Sequence, residues 1–197
     1  LEISFYFQKS LNFKQFKDFT NSIKMEAVAS LVSPRIYGYV VFTQIYDSEG
    51  FPESVQIKVD LVKNQKDFST PSNPKDFEES FHGFHIHASG DLRRGCDSCC
   101  KHYNPKKKNH GGLFDEESHA GDLGNIRFDE KGNCKDFFET NKFTVQEILG
   151  RSVVVHENPD DLGQGEGEDK EESLKTGRSG KRVACGCIGI SENTCEI

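Results

Sequence analysis

From residue 25 onward, apolar and polar residues alternate in short runs. Residues 27–31, 37–45 and 54–62 are rich in β-branched and aromatic side chains, and they are separated by Ser33-Pro34 and by Asp47-Ser48-Glu49-Gly50. Successive strand residues point to opposite faces, so this is the pattern of half-buried strands joined by turns. Further strands are predicted over 81–88, 120–128, 135–138, 151–156 and 183–190, with a turn at Asp129-Glu130-Lys131-Gly132-Asn133. Three segments interrupt the alternation. Residues 63–80 hold charged clusters with Pro71 and Pro74, while 89–117 and 157–181 are long, polar and rich in glycine. Loops beyond about 12–15 residues are uncommon in compact domains unless they carry function. About eight short strands with two oversized loops predict an all-β chain, an antiparallel sandwich or barrel.

Residues 1–24 stand apart. They carry Phe5, Phe7, Phe13, Phe16 and Phe19 among lysines, and Met25, the one methionine of the chain, follows directly. This stretch reads as an N-terminal extension, disordered or absent from the natural product, ahead of one domain over 25–197. A targeting peptide fits less well, given Glu2, Asp18 and no arginine.

The 197 residues carry a formal net charge of −7. An acidic chain lacks the basic footprint that nucleic-acid binding requires, and Lys106-Lys107-Lys108 reads as a solvated loop. No run of about 18 apolar residues occurs, so no membrane-spanning helix is predicted. The seven cysteines are an odd number, so at least one is free or pairs between chains. With no signal-peptide pattern and no Asn-x-Ser/Thr acceptor, the chain is expected in a reducing, intracellular setting.

Seven histidines are the strongest chemical signal. His85 and His87 lie on a predicted strand, where alternation sends both rings to one face. His102, His110 and His119 follow at spacings of eight and nine, Asp122 comes three residues later, and His156 ends the run Val153-Val154-Val155. Imidazole sets suit copper and zinc, and three imidazoles with a carboxylate make a tetrahedral zinc set. A lone His-x-His is more often a packing or surface feature. Six histidines and an aspartate supply seven ligands, one short of two four-coordinate sites, and one bridging histidine completes the count.

These residues sit in Gly83-Phe84-His85-Ile86-His87, His102-Tyr103-Asn104-Pro105, His110-Gly111-Gly112, Asp115 through Asn125, Gly150 through Glu157, Asp160-Asp161-Leu162-Gly163 and Ala184-Cys185-Gly186. In this order they resemble the copper/zinc superoxide dismutase family from about Met25 to Ile190. The resemblance implies an eight-stranded antiparallel Greek-key barrel with two long functional loops, holding one copper and one zinc per subunit. It implies copper on His85, His87, His102 and His156, and zinc on His102, His110, His119 and Asp122, with His102 as the bridge. Asp160 would link a copper-site histidine to a zinc-site histidine. His82 matches a structural position, and Cys96 and Cys185 match a disulfide, leaving Cys99, Cys100, Cys134, Cys187 and Cys195 as free thiols.

The implied reaction takes superoxide to O2 and hydrogen peroxide by alternate reduction and reoxidation of copper, with His102 exchanging a proton. A cleft lined by positive charge speeds anion capture even in a negative protein, an effect for which this family is a reference case. By resemblance, Arg182 guides and holds superoxide, Lys175 adds positive potential and Thr176 narrows the channel, within an electrostatic loop that also contains Glu171 and Glu172. That loop is unusually acidic from Gln164 to Glu172, and carboxylates facing the channel would weaken steering.

The family usually forms homodimers. Ser89, Leu92-Arg93-Arg94 and Cys187 depart from its interface pattern and predict a weaker dimer. A copper chaperone is the expected partner in metal loading. The alternative reading is a catalytically silent relative, a decoy or copper-handling protein, but no expected ligand and no guiding arginine is missing. The expected location is the cytoplasm. Lysine-over-arginine usage suits AT-rich coding, as in a protist or a large DNA virus, and in the latter case the cytoplasm is that of an infected cell.

Overall fold

The computed structural model describes residues 25–64 and 81–195. Among them are nine strands: β1 Glu26–Val32, β2 Ile36–Tyr46, β3 Pro52–Lys63, β4 Phe81–His87, β5 Arg93–Cys96, β6 Asp122–Arg127, β7 Asn133–Thr140, β8 Ser152–His156 and β9 Arg182–Ile190. Eight of them follow the order β6-β4-β8-β9-β1-β2-β3-β7, each neighbouring pair being antiparallel, and they curl into a nearly closed barrel. The links from β3 to β4 and from β6 to β7 leap across this order, which is the Greek-key feature.

Alternation builds the wall. On β3, Val55, Ile57, Val59 and Leu61 are buried, and on β2, Val40, Phe42 and Gln44 turn inward while Tyr37 and Tyr39 stay exposed. β4 and β8 depart from it: His82 to His87 and Ser152 to His156 are all buried. Phe84, Ile86, Val153 and Val155 enter the core, and the opposite face of these strands, bearing His85, His87 and His156, lies under the long loops. The histidines are therefore outside the barrel wall yet shielded from water.

The two loops are not structureless. The first holds β5 and a 3-10 turn, Asp97–Cys99. Short helices occur at Val145–Ile148 (α1), Lys170–Thr176 (α2) and Glu192–Cys195 (α3), none of them evident from the sequence pattern. α1 is a single turn set by a capping box between Thr144 and Glu147, too short to show a periodicity. α2 ends at Gly177, whose φ of 64° a glycine adopts without strain. The fifth predicted strand, over 120–128, is β6 and begins at Asp122 rather than 120. The extension 1–24, most of the loop 63–80 and the side chain of Cys195 lie outside the described residues.

Cys96 and Cys185 are joined by a disulfide, Cα–Cα 5.7 Å, across 89 residues of sequence. It fastens the first long loop to β9.

Candidate metal centre

Two register shifts aim the first set of rings. One lies on β4 between Gly83 and His85, the other on β8 between Val155 and His156, and such bulges re-aim side chains locally. His102 reaches β4 through an isolated bridge to His87. The first loop then returns His110 and His119 to the same place, with Asp122 opening β6.

The hydrogen bonds leave bare lone pairs facing one another. His87 Nδ1 lies 2.9 Å from the carbonyl of Cys100 and His156 Nδ1 3.2 Å from that of Gly180. Each ring therefore donates from Nδ1 and presents an acceptor Nε2, and these two acceptors lie 3.3 Å apart. His85 and His110 donate from Nε2 to the two oxygens of Asp160, at 2.7 and 2.8 Å. Their buried Nδ1 atoms are left without a hydrogen bond. Oδ1 of Asp122 faces three ring nitrogens at once, the Nδ1 atoms of His102, His110 and His119 at 2.9, 3.0 and 3.1 Å. The facing Nε2 acceptors of His87 and His156 are unfavourable unless a cation lies between them.

Ligand atoms of His85, His87, His102 and His156 lie within 4.8 Å of one another, as do those of His85, His102, His110 and Asp122. His119 stands outside the second group by that measure, although its Nδ1 is 3.4 Å from His102 Nδ1. His85 has a single free nitrogen and can serve one ion. His102 occurs in both groups: Nδ1 faces Asp122, and Nε2 makes no hydrogen bond among the described residues.

Electrostatics hold most of these rings in the neutral form a metal requires. Burial, followed by the neighbouring His102, pushes His85 and His87 far below the usual imidazole range, and the same two causes bring His156 down to about 4. Burial also lowers His102, against the opposing pull of Asp122. His110 differs. Burial pulls it down, but the carboxylates of Asp122 and Asp160 at its two nitrogens hold it up at about 9. Asp122 itself, despite a burial that favours the acid, is kept well below the carboxylate range by His102, His110 and His119.

Asp160 is seated by its neighbours. Its backbone N–H donates to Asn125 Oδ1 at 2.7 Å, and its Oδ1 accepts from Leu162 N–H at 2.8 Å. A Cβ at Gly177 would lie 1.9 Å from Asp160 Oδ1 and 2.4 Å from His110 Nε2, so the Asp160–His110 contact requires a residue without a side chain there.

Over the rings opens a cavity of about 760 Å³, lined among others by His87, His102, His119, His156, Thr176 and Arg182. Arg182 is anchored by donation from Nη1 to the Cys96 carbonyl at 2.7 Å and from Nη2 to that of Cys100. Lys101, Lys108, Lys175 and Arg178 also line it, and Glu172 is the one acidic residue among the described lining residues. Of the acidic run from Gln164 to Glu172, only Glu172 is among the described lining residues. Sequence reasoning passed over Lys101, Gly177 and the carbonyl of Cys100. Only Lys101 carried a readable signal, its position directly before His102.

An antiparallel barrel carrying two adjoining imidazole-rich sets with a common ring defines a protein built for a pair of unlike metals. The model of the family described as copper/zinc superoxide dismutase (SODC) matches residues 36–188. The chain is 40% identical over 167 residues to the "Superoxide dismutase [Cu-Zn]" of Onchocerca volvulus, covering 83% of this chain and 95% of that one. It is 49% identical over 112 residues to the Saccharomyces cerevisiae protein of the same name, covering 55% and 71%. To the "Extracellular superoxide dismutase [Cu-Zn]" of Drosophila melanogaster it is 38% identical over 180 residues, covering 87% and 88%. A crystal structure of the clock protein EA4 superimposes with a TM-score of 0.71 at 35% identity, over 86% of this chain and 96% of that one. The chain belongs to the copper/zinc superoxide dismutase family, and its cofactors are copper and zinc.

Proposed function

We propose that this chain dismutates superoxide, with copper held by His85, His87, His102 and His156, and zinc by His102, His110, His119 and Asp122. The observation that carries the assignment is the convergence of imidazole nitrogens and a buried carboxylate into two sets that both contain His102, beneath a cavity whose described lining includes five cations and one carboxylate. Copper, when bound, supplies the one-electron redox couple, and zinc a fixed charge that tunes the shared ring. Arg182 holds the anion beside the rings, its guanidinium fixed by carbonyls so that little reorganisation is needed on capture. Thr176, hydrogen-bonded to Glu172 Oε1 at 2.7 Å, narrows the entrance beside Lys175. His102 Nε2 is the atom at which a proton is held between the half-reactions. One superoxide gives up an electron and leaves as O2; the second takes that electron and two protons and leaves as hydrogen peroxide. Asp160 orients His85 and His110 together and thereby couples the two sets.

Superoxide decay followed by pulse radiolysis, on protein loaded with both metals, tests this reading. A fast catalysed rate that falls with added salt supports it. Full metal loading without catalysis would overturn it and favour the silent relative.

The same reading takes residues 25–197 as one catalytic domain, forming a homodimer weakened at Ser89, Leu92–Arg94 and Cys187 and loaded by a copper chaperone. Among the described residues no helix is long and apolar enough to cross a membrane. Four described thiols stay unpaired, Cys99, Cys100, Cys134 and Cys187, which supports a cytoplasmic setting.

A further inference from the structure

The cations lining the cavity differ in what offsets them. Lys175 is paired with Glu171 at 2.7 Å, and Arg178 with Asp169 at 3.1 Å. An ion pair presents a dipole to an approaching anion, and its field falls away faster than that of a single charge. Lys108 donates to the Glu116 carbonyl, and Arg182 to the carbonyls of Cys96 and Cys100. Both keep their charge, but their donors are partly committed. Lys101 is exposed, lines the same cavity, and its ammonium makes no hydrogen bond or ion pair among the described residues. It directly precedes His102, the ring common to both sets, and its own carbonyl is pinned by Ala88 N–H at 2.8 Å. Its backbone is therefore fixed to the end of β4 while its ammonium is uncommitted.

We infer that Lys101 is a specificity-determining residue of this site, the cation that recruits small anions to the metal pair, in a role that the loop pattern alone would give to Lys175. The inference rests on the dismutase reading for its substrate and on the charge pairing for its residue. Lys175 spends its charge on Glu171, so its removal with that partner left behind changes the distant field less than the removal of Lys101 does.

The test uses the copper- and zinc-loaded protein and its Lys101→Gln, Lys101→Arg and Lys175→Gln variants. Azide is titrated against the copper absorption band, a readout independent of turnover, and superoxide decay is measured beside it, both at low and at high ionic strength. Lys101→Gln should weaken azide binding and slow superoxide decay by about two- to three-fold at low salt, the size of one unit charge acting across a wet channel. The difference should vanish once salt screens it, Lys101→Arg should match the parent, and Lys175→Gln should lose less than Lys101→Gln. Parent-like behaviour of Lys101→Gln at low salt, or an equal or larger loss in Lys175→Gln, would overturn the inference. A Lys101-dependent azide affinity in a protein that does not consume superoxide would keep the inference and sink the dismutase reading.

Discussion

Arg182 donates from Nη2 to the carbonyl oxygen of Cys100, the same oxygen that His87 addresses through Nδ1 at 2.9 Å. One backbone carbonyl thus sets the position of a ring in the metal centre and of the guanidinium above it. A shift of this peptide would move both groups, so the loop after β5 sets where the ring and the guanidinium stand.

The peptide is held at a cost. Cys100 has φ 65° and ψ −153°, a region essentially reserved for glycine, and such a residue costs of order 1–3 kcal/mol. Cys100→Gly should relieve this, less the ~0.5–1 kcal/mol of extra chain entropy that glycine loses on folding. The denaturant midpoint should rise by the equivalent of ~1 kcal/mol. A lower midpoint would mean that the thiol itself packs the loop.

Asp160 bridges His85 and His110 from a fully buried carboxylate. Asp160→Ala leaves two imidazole N–H groups without acceptors, and loss of such an orienting partner typically lowers metal affinity by about 10–100-fold. Chelator competition should show both metals weakened, because on the proposed assignment His85 serves copper and His110 serves zinc. Loss confined to one metal would contradict the bridge.

Lys142 ties down the loop that carries His110 and His119. Its Nζ donates to the Gly112 carbonyl at 3.0 Å and to Ser118 Oγ, two residues after one histidine and one before the other. Burial lowers its pKa despite the nearby Asp122 and Asp115. Lys142→Met should weaken zinc by about ten-fold, in the range found for outer groups that orient ligands, and leave copper unchanged. Lys142→Arg should recover part of the loss. Equal weakening of both metals would point to general unfolding instead.

Breaking the disulfide with Cys96→Ser should remove ~4–5 kcal/mol of stability, given the 89-residue separation it closes. It should also loosen Arg182, which is held by the Cys96 carbonyl. Calorimetry reads the first effect. Weaker binding of azide to the metal-loaded protein reads the second.

The four described free thiols should separate by alkylation at pH 8. Cys100 is exposed and should react with iodoacetamide within minutes to hours, as should Cys187 in the monomer, whereas Cys99 and Cys134 are buried. Burial raises the Cys99 pKa, and burial together with Asp136 pushes Cys134 up to about 12. The thiolate is the reactive species, so labelling of Cys134 should keep rising with pH well beyond 10. Peptide mapping by mass spectrometry checks this.

Most of the wall was legible because strand alternation is local: Val55, Ile57, Val59 and Leu61 carry their own burial pattern. α1 was not legible, since one turn of helix fixed by Thr144 and Glu147 has no period to read. α2 was obscured by the acidic, glycine-rich segment around it, although Glu171 and Lys175 stand at helical ion-pair spacing.

The chemistry divides along the same line. The sequence by itself determined which residue types gather, six histidines and Asp122 in segments too specific for packing alone, because ligand chemistry belongs to individual side chains. Tertiary structure decided which nitrogen of each ring faces inward, that Gly177 leaves room for Asp160 to meet His110, and that the Cys100 carbonyl serves two masters. It also decided that Lys175 and Arg178 are paired with carboxylates while Lys101, among the described residues, is not. These are relations between groups brought together from different loops, such as Arg182 and Cys100 across 82 residues, and only the folded backbone sets their distances.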